Sequence, residues 1–99
     1  MTDTVEVVHA GTSIFIDFPL EGQTIPISMT CEAKLINKDG TVALTKGAVS
    51  NIEGTAFELR IPYTDTLGFA GTPHTLLVRV TDSVSGYSDI IYEKKISWK

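Results

Sequence analysis

A chain of 99 residues with one cysteine, one tryptophan and four prolines forgoes several ways of holding itself together or of doing chemistry. Cys31 alone excludes an intrachain disulfide and any zinc site built on paired cysteines. It stands in an alternating run between Met29 and Ala33, where a small buried hydrophobe is a better reading than a reactive thiol. No apolar stretch approaches the ~20 residues that a membrane helix needs, so no membrane segment is expected. Met1-Thr-Asp-Thr4 carries no positive charge and leads into no apolar run of the secretory kind, so synthesis and folding in a cytoplasm are expected. Basic residues are few: 8 Lys and Arg against 12 Asp and Glu, a net charge of −4. A duplex nucleic-acid binder needs a basic footprint to neutralise phosphates, and that footprint is missing. Missing too is any apolar periodicity near 3.6 residues sustained over a helix length.

Reactive constellations are equally scarce. His9 and His74 stand in separate strands, with no HExxH spacing, so they read as strand-end or surface histidines rather than metal ligands. Asp82, Ser83, Ser85 and Asp89 surround the last turn and offer oxygens of the type calcium takes. Their spacing is not that of an EF-hand, and Asp and Ser are the ordinary residues of such a turn. No serine sits in a G-x-S-x-G elbow, no candidate carboxylate pair stands out, and phosphate-loop and dinucleotide fingerprints are absent. Gly68-Phe-Ala-Gly71 matches an RNA-binding GxxG loop only trivially, since the helices and basic residues of that module are missing. The expectation is a non-enzymatic protein with no cofactor and no metal.

What is present is alternation. With 42% hydrophobic and 20% charged residues, the chain has the composition of one globular domain, residues 1–99, with a modest core. Thr4–His9 reads as a short first strand and Thr12–Phe18 as a second, with Ile14, Ile16 and Phe18 on one face. Pro19-Leu-Glu-Gly22 ends the second strand. Thr24–Ile27 contains Pro26 and belongs in a loop or at an edge. Met29–Asn37 alternates cleanly, with Met29, Cys31, Ala33 and Leu35 inward. Asn37-Lys-Asp-Gly40 is a tight hairpin turn, and Thr41–Lys46 is the returning strand. Gly47–Gly54 reads as a connection with Val49 and Ile52 tucked beneath it. Thr55–Ile61 is the next strand, and Pro62 stops it. Tyr63–Pro73 is a long loop with one helical turn around Thr64–Gly68.

The last quarter is a hairpin. Leu76, Val78 and Val80 share a face on its first arm, and Ile90, Tyr92, Ile96 and Trp98 share one on its second, around a turn at Thr81–Tyr87. Strict alternation would turn Lys94 inward, and a β-bulge at Lys94-Lys95 would restore the parity; the alternative is a lysine guarding an edge. Together these elements predict an all-β fold, an immunoglobulin-like antiparallel β-sandwich of about seven strands. The hairpin would lie in one sheet, with Met29–Leu35 and Phe57–Ile61 opposing it. Phe15, Ile36, Leu77 and Ile91 have the wrong parity for the core, and Phe69, on the long loop between glycines, reads as either a contact or a plug for the sandwich end. Phe15, Phe69, Leu77 and Ile91 are the candidate interface residues, because apolar groups on solvent faces mark binding surfaces when they cluster.

Several pieces, in this order, resemble a known family. His9-Ala-Gly-Thr-Ser-Ile-Phe-Ile-Asp-Phe18 opens the set, and the strand and Asp39-Gly40-Thr41 turn of Met29–Thr41 follow. Ala56-Phe-Glu-Leu-Arg-Ile-Pro-Tyr-Thr-Asp-Thr66, then Gly71–Asp82, then Ser85-Gly86 and the closing strand complete it. Together they resemble the small immunoglobulin-like modules of tailed-bacteriophage structural proteins, such as the N-terminal domain of baseplate upper proteins and related tail or fibre-anchoring proteins. The likeness spans about nine-tenths of the chain. Thr12 stands where an Asp often follows the early glycine, and Thr72-Pro73-His74 replaces an aromatic. The long second region of baseplate proteins is missing. The resemblance implies a virion component of tail, baseplate, neck or head, made in the host cytoplasm. It implies symmetric multi-copy assembly with other virion proteins and no catalytic or metal residues. The alternative expectation is a free-standing immunoglobulin-like module that binds carbohydrate or a cell-surface ligand, for which Tyr63, Phe69 and Tyr87 are the available loop aromatics.

Overall fold

Alternating β-branched and aromatic residues do not bury a single face unless a second layer covers it, and this chain supplies both layers. The computed structural model describes residues 5–20 and 24–99. The expected start of the first strand at Thr4 and the Glu21-Gly22 part of the turn after Pro19 lie outside the described residues. The described residues form seven strands in chain order: β1 (Val5–Val8), β2 (Ile14–Pro19), β3 (Met29–Asn37), β4 (Val42–Ser50), β5 (Ala56–Ile61), β6 (Pro73–Asp82) and β7 (Ser88–Trp98). Between β5 and β6 come one helical turn, α1 (Tyr63–Thr66), and a 3-10 turn at Leu67–Phe69.

The hydrogen-bonded order is β1-β7-β6-β3-β4-β5-β2. It bends into two layers at β4, which pairs with β3 through Ala48 and then with β5 at Val49 and Ser50. One layer is β1-β7-β6-β3 with the first part of β4; the other is the end of β4 with β5 and β2. Strands β7, β6 and β3 beside one another, facing β5 and β2, reproduce the strand neighbours of an immunoglobulin sandwich. The pairing is antiparallel throughout except for β1, which runs parallel to β7 from Val5–Lys95 to Val8–Trp98.

The core follows the pleat. Along β6 the side chains of His74, Leu76, Val78, Val80 and Asp82 are buried in strict alternation. Leu35, Ala33 and Cys31 of β3 stand opposite Leu76, Val78 and Val80. Phe57, Leu59 and Ile61 of β5, with Phe18 of β2, close over them from the other layer. Burial of a side chain such as Leu59, which is 0% exposed, contributes roughly 1.5–3 kcal/mol. Phe18 and Tyr92 meet edge to face at 5.5 Å between ring centroids, on the side where β2 and β7 are not hydrogen-bonded to each other.

Four expectations need correction. First, Met29–Leu35 does not oppose the final hairpin but lies in its layer, as the neighbour of β6; only β5 and β2 oppose it. Second, β4 does not stop at Lys46 but runs through Gly47 to Ser50, because it must reach β5. Val49 and Ile52 are consequently not tucked under a loop: Val49 is 68% and Ile52 102% exposed. Third, the bulge of β7 falls at Ile91, since Tyr92 faces Val78 while Ile90 faces Arg79. Fourth, the extra residue flips Ile90 to the outer face, whereas Lys94, opposite Leu76, keeps the inward parity of Tyr92 and Ile96 at half-burial. A lysine tolerates this because its aliphatic stem packs while the ammonium reaches water.

The buried and exposed positions separate in a direct test. Leu59→Ala is expected to lower unfolding free energy in urea titrations by about 2–5 kcal/mol, because a cavity is left in a closed core. Ile52→Ser is expected to change it by no more than about 0.5 kcal/mol, as for other surface positions.

Candidate functional site

The four candidate interface residues do not come together. Phe15 lies on the outer face of β2, 68% exposed, with the Arg60 guanidinium 5.1 Å from its ring centroid. Leu77 is half-buried on the outer face of the other layer, between Lys34 of β3 and Glu93 of β7. Ile91 is the bulged residue and lines a cleft with Phe18, Leu20, Met29, Val80 and Tyr87. Phe69 is turned inward at one end of the sandwich, its ring 4.6 Å from His74 and 5.2 Å from Trp98. Two opposite faces, one open side and one end account for the four, so parity alone did not define a patch.

That end is closed by ring and hydroxyl contacts. Trp98 Nε1–H donates to His74 Nδ1 at 2.8 Å, which places the imidazole proton on Nε2. Burial holds the His74 pKa below its ordinary value. Thr66, fully buried, accepts from the Gly11 N–H at 2.9 Å and lies within 3.1 Å of the Thr12 and Tyr63 carbonyls. Gly11 has φ +86°, and a Cβ there would stand 3.2 Å from Leu67, so the turn after β1 closes only on glycine.

The opposite end carries what the sequence reading missed. Three connections meet there: 24–28 before β3, 51–55 between β4 and β5, and 83–87 between β6 and β7. Each presents an aliphatic side chain at its tip, Ile27 (105% exposed), Ile52 (102%) and Val84 (84%). The loops are bound to one another. Ile25 N–H donates to the Gly54 carbonyl at 2.6 Å, and Ser83 N–H to the Ser28 carbonyl at 3.3 Å. Asp82 ties the rest: its carboxylate accepts from Ser28 Oγ at 2.5 Å, Val84 N–H at 3.1 Å and Ser85 Oγ at 3.1 Å. Those donors, Ser28 first and the Val84 amide next, hold its pKa below the usual carboxylate value.

Asp82 thus spends its oxygens on the turn, and Asp89 accepts from the Tyr87 hydroxyl at 3.2 Å. These are the hydrogen bonds that Asp and Ser ordinarily make in such a turn. Among the described residues there is no group of three or more His, Cys, Asp or Glu side chains placed to hold a metal ion. Cys31 is buried between Val80 and Ala48 on the neighbouring strands, and burial pushes its thiol up to about 11, which keeps it protonated and unreactive. No helix among the described residues is long and apolar enough to cross a membrane. The loop tips carry no parity signal in the sequence: Ile27 follows Ile25-Pro26, Ile52 stands between Asn51 and Glu53, and Val84 between Ser83 and Ser85.

The buried imidazole gives a pH prediction with a definite sign. A histidine whose folded pKa lies below the unfolded value near 6.5 leaves stability intact above that pH and removes it as pH falls through the folded pKa. The urea midpoint should therefore drop between pH 7.5 and 5. In His74→Gln, which keeps an acceptor for Trp98 but cannot titrate, the drop should be smaller; an equal drop in both would show that another group is responsible.

No protein-family model matches this chain, and no curated protein matches it either.

Proposed function

We propose that this chain is a non-enzymatic structural module of a tailed-phage particle, a component of its tail, baseplate, neck or head, and that it works by docking on other virion proteins. The observation that carries the reading is the loop end with Ile27, Ile52 and Val84. Three aliphatic side chains held in water by mutually bonded loops have no role in the core, and exposed apolar groups grouped in this way mark protein contacts. Hydrogen bonds between the loops hold these side chains apart from the core, which lowers the ordering entropy that docking costs. The resemblance of the strand and turn residues to phage immunoglobulin-like modules supplies the setting, by analogy of architecture.

The alternative, a module for carbohydrate or a cell-surface ligand, needs exposed aromatics in one place. Tyr63 and Tyr87 are at opposite ends of the sandwich, and Phe69 is folded against His74 and Trp98. This distribution favours the first reading.

In a phage that encodes the chain, mass spectrometry of purified particles should detect it. The combined substitution Ile27→Asp, Ile52→Asp and Val84→Asp should preserve the circular dichroism spectrum and reduce incorporation at least about tenfold, a loss of ~1.4 kcal/mol in docking. Particles that lack the wild-type protein would refute the structural role. Normal incorporation of the triple variant would refute the loop end as the contact.

A further inference from the structure

A sheet edge is a row of unmet backbone hydrogen bonds, and soluble proteins blunt such rows with charge, bulges, short strands or proline. The two edges of the sheet, which flank one cleft lined by Glu6, Val8, Ser13, Phe15 and Lys94, are treated differently. Where β1 does not cover it, β7 has the bulge at Ile91, Asp89, Glu93 and the inward-pointing Lys94, and β1 itself is four residues long. Strand β2 is less protected: Asp17 and Pro19 are its only edge-blunting residues, and it has no bulge. Its sequence Ile-Phe-Ile-Asp-Phe-Pro contains no lysine, its register with β5 is unbroken from Ile14–Ile61 to Pro19–Ala56, and nothing among the described residues pairs with its far side.

Which groups point outward follows from one bond. Leu20 N–H donates to the Thr55 carbonyl at 2.8 Å, so by alternation Phe18, Ile16 and Ile14 also direct their backbone groups toward β5. Ser13, Phe15, Asp17 and Pro19 then face the free side. All but Pro19 present both an N–H and a C=O there.

We infer that two copies of this chain pair through their β2 edges, antiparallel, about a two-fold axis at Phe15. In that register Phe15 faces its symmetry mate and Asp17 faces Ser13 of the second copy, and the paired residues exchange about six backbone hydrogen bonds. The neighbouring registers are poorer. One sets Asp17 against Asp17, a like-charge pair that antiparallel sheets disfavour; another places Pro19, which has no N–H, at a bonding position. The chosen register also covers the most exposed aromatic ring, Phe15 at 68%. It lays the two rings between two guanidiniums, since each Arg60 is 5.1 Å from its own Phe15 and is anchored to Asp17 at 2.9 Å. A second copy fits better than an unrelated strand because the edge complements itself, which is the requirement of an isologous dimer. The pairing rests on the edge alone and is independent of the particle to which the chain belongs.

One strand pair covers less than the ~1,200 Å² of a standard interface, so the dimer should be weak and concentration-dependent. Sedimentation of the full chain up to about 1 mM should show monomer giving way to dimer, and Phe15→Lys and Asp17→Pro should each weaken it at least about tenfold while the circular dichroism spectrum is retained. Under oxidation Phe15→Cys should cross-link to itself, because residues facing each other across an antiparallel pair lie within disulfide reach. Val49→Cys, exposed elsewhere, should not. A wild-type chain that stays monomeric throughout would overturn the proposal. So would a dimer indifferent to Phe15→Lys, or one in which Val49→Cys cross-links as readily as Phe15→Cys.

Discussion

The pairing of β3 with β6 is the constraint on which the rest of this domain depends. It sets Cys31, Ala33 and Leu35 beside Val80, Val78 and Leu76 and so creates one continuous apolar face in the middle of the larger layer. A slip of β3 by one residue would turn its three core side chains, Cys31, Ala33 and Leu35, to solvent. With that face fixed, β5 and β2 have a surface to cover and β7 has a neighbour to extend. Strand β4 must then leave β3 to reach β5. The core residues of β3 that meet β6 include the small Cys31 and Ala33, which leave room for Phe18 and Phe57 from the opposite layer. A bulkier residue at Ala33, 1% exposed, would overpack the centre.

Much of this was legible because the physics is local. Met29–Asn37 alternates, and its Asp39-Gly40 turn demands positive φ, observed as +91° at Gly40; strand and turn fall where the pattern places them. Cys31 sits in the core, and a helical turn follows Pro62, extended by a 3-10 turn at Leu67–Phe69. What failed depended on partners far along the chain. Alternation says which residues of β3 share a face but not which layer the strand joins, so it does not reveal that Met29–Leu35 lies beside the hairpin and pairs with β6. Three consecutive apolar residues, Ile90-Ile-Tyr92, give no local sign of where an extra residue belongs; the register against Val78 and Arg79 decides it. Gly47 reads as a breaker, yet β4 passes through it because β5 lies beyond.

The same reasoning explains why wrong-parity residues were a poor guide to a surface. Phe15, Leu77 and Ile91 are each correctly anomalous within their own strand, but a patch is a property of neighbouring strands, and these three occupy different sides of the sandwich. Loop tips escape the parity test altogether, because a turn has no inside and outside in sequence. Ile27, Ile52 and Val84 gain meaning only when the topology gathers three connections at one end and Asp82 and the backbone bonds hold them there. The two ends of the molecule consequently divide the labour: aromatic and imidazole packing closes one, and a polar frame displays aliphatic tips at the other.

The parallel ladder between β1 and β7 has a mechanical consequence. Tension drawn through Val5 and Trp98 in opposite directions would act along the strand axes, so the bonds from Val5–Lys95 to Val8–Trp98 would be sheared together instead of peeled one after another. A bundle of small bonds that must fail in concert resists a pull far better than the same bonds opened in sequence, and this fold puts that clasp at its first and last strands.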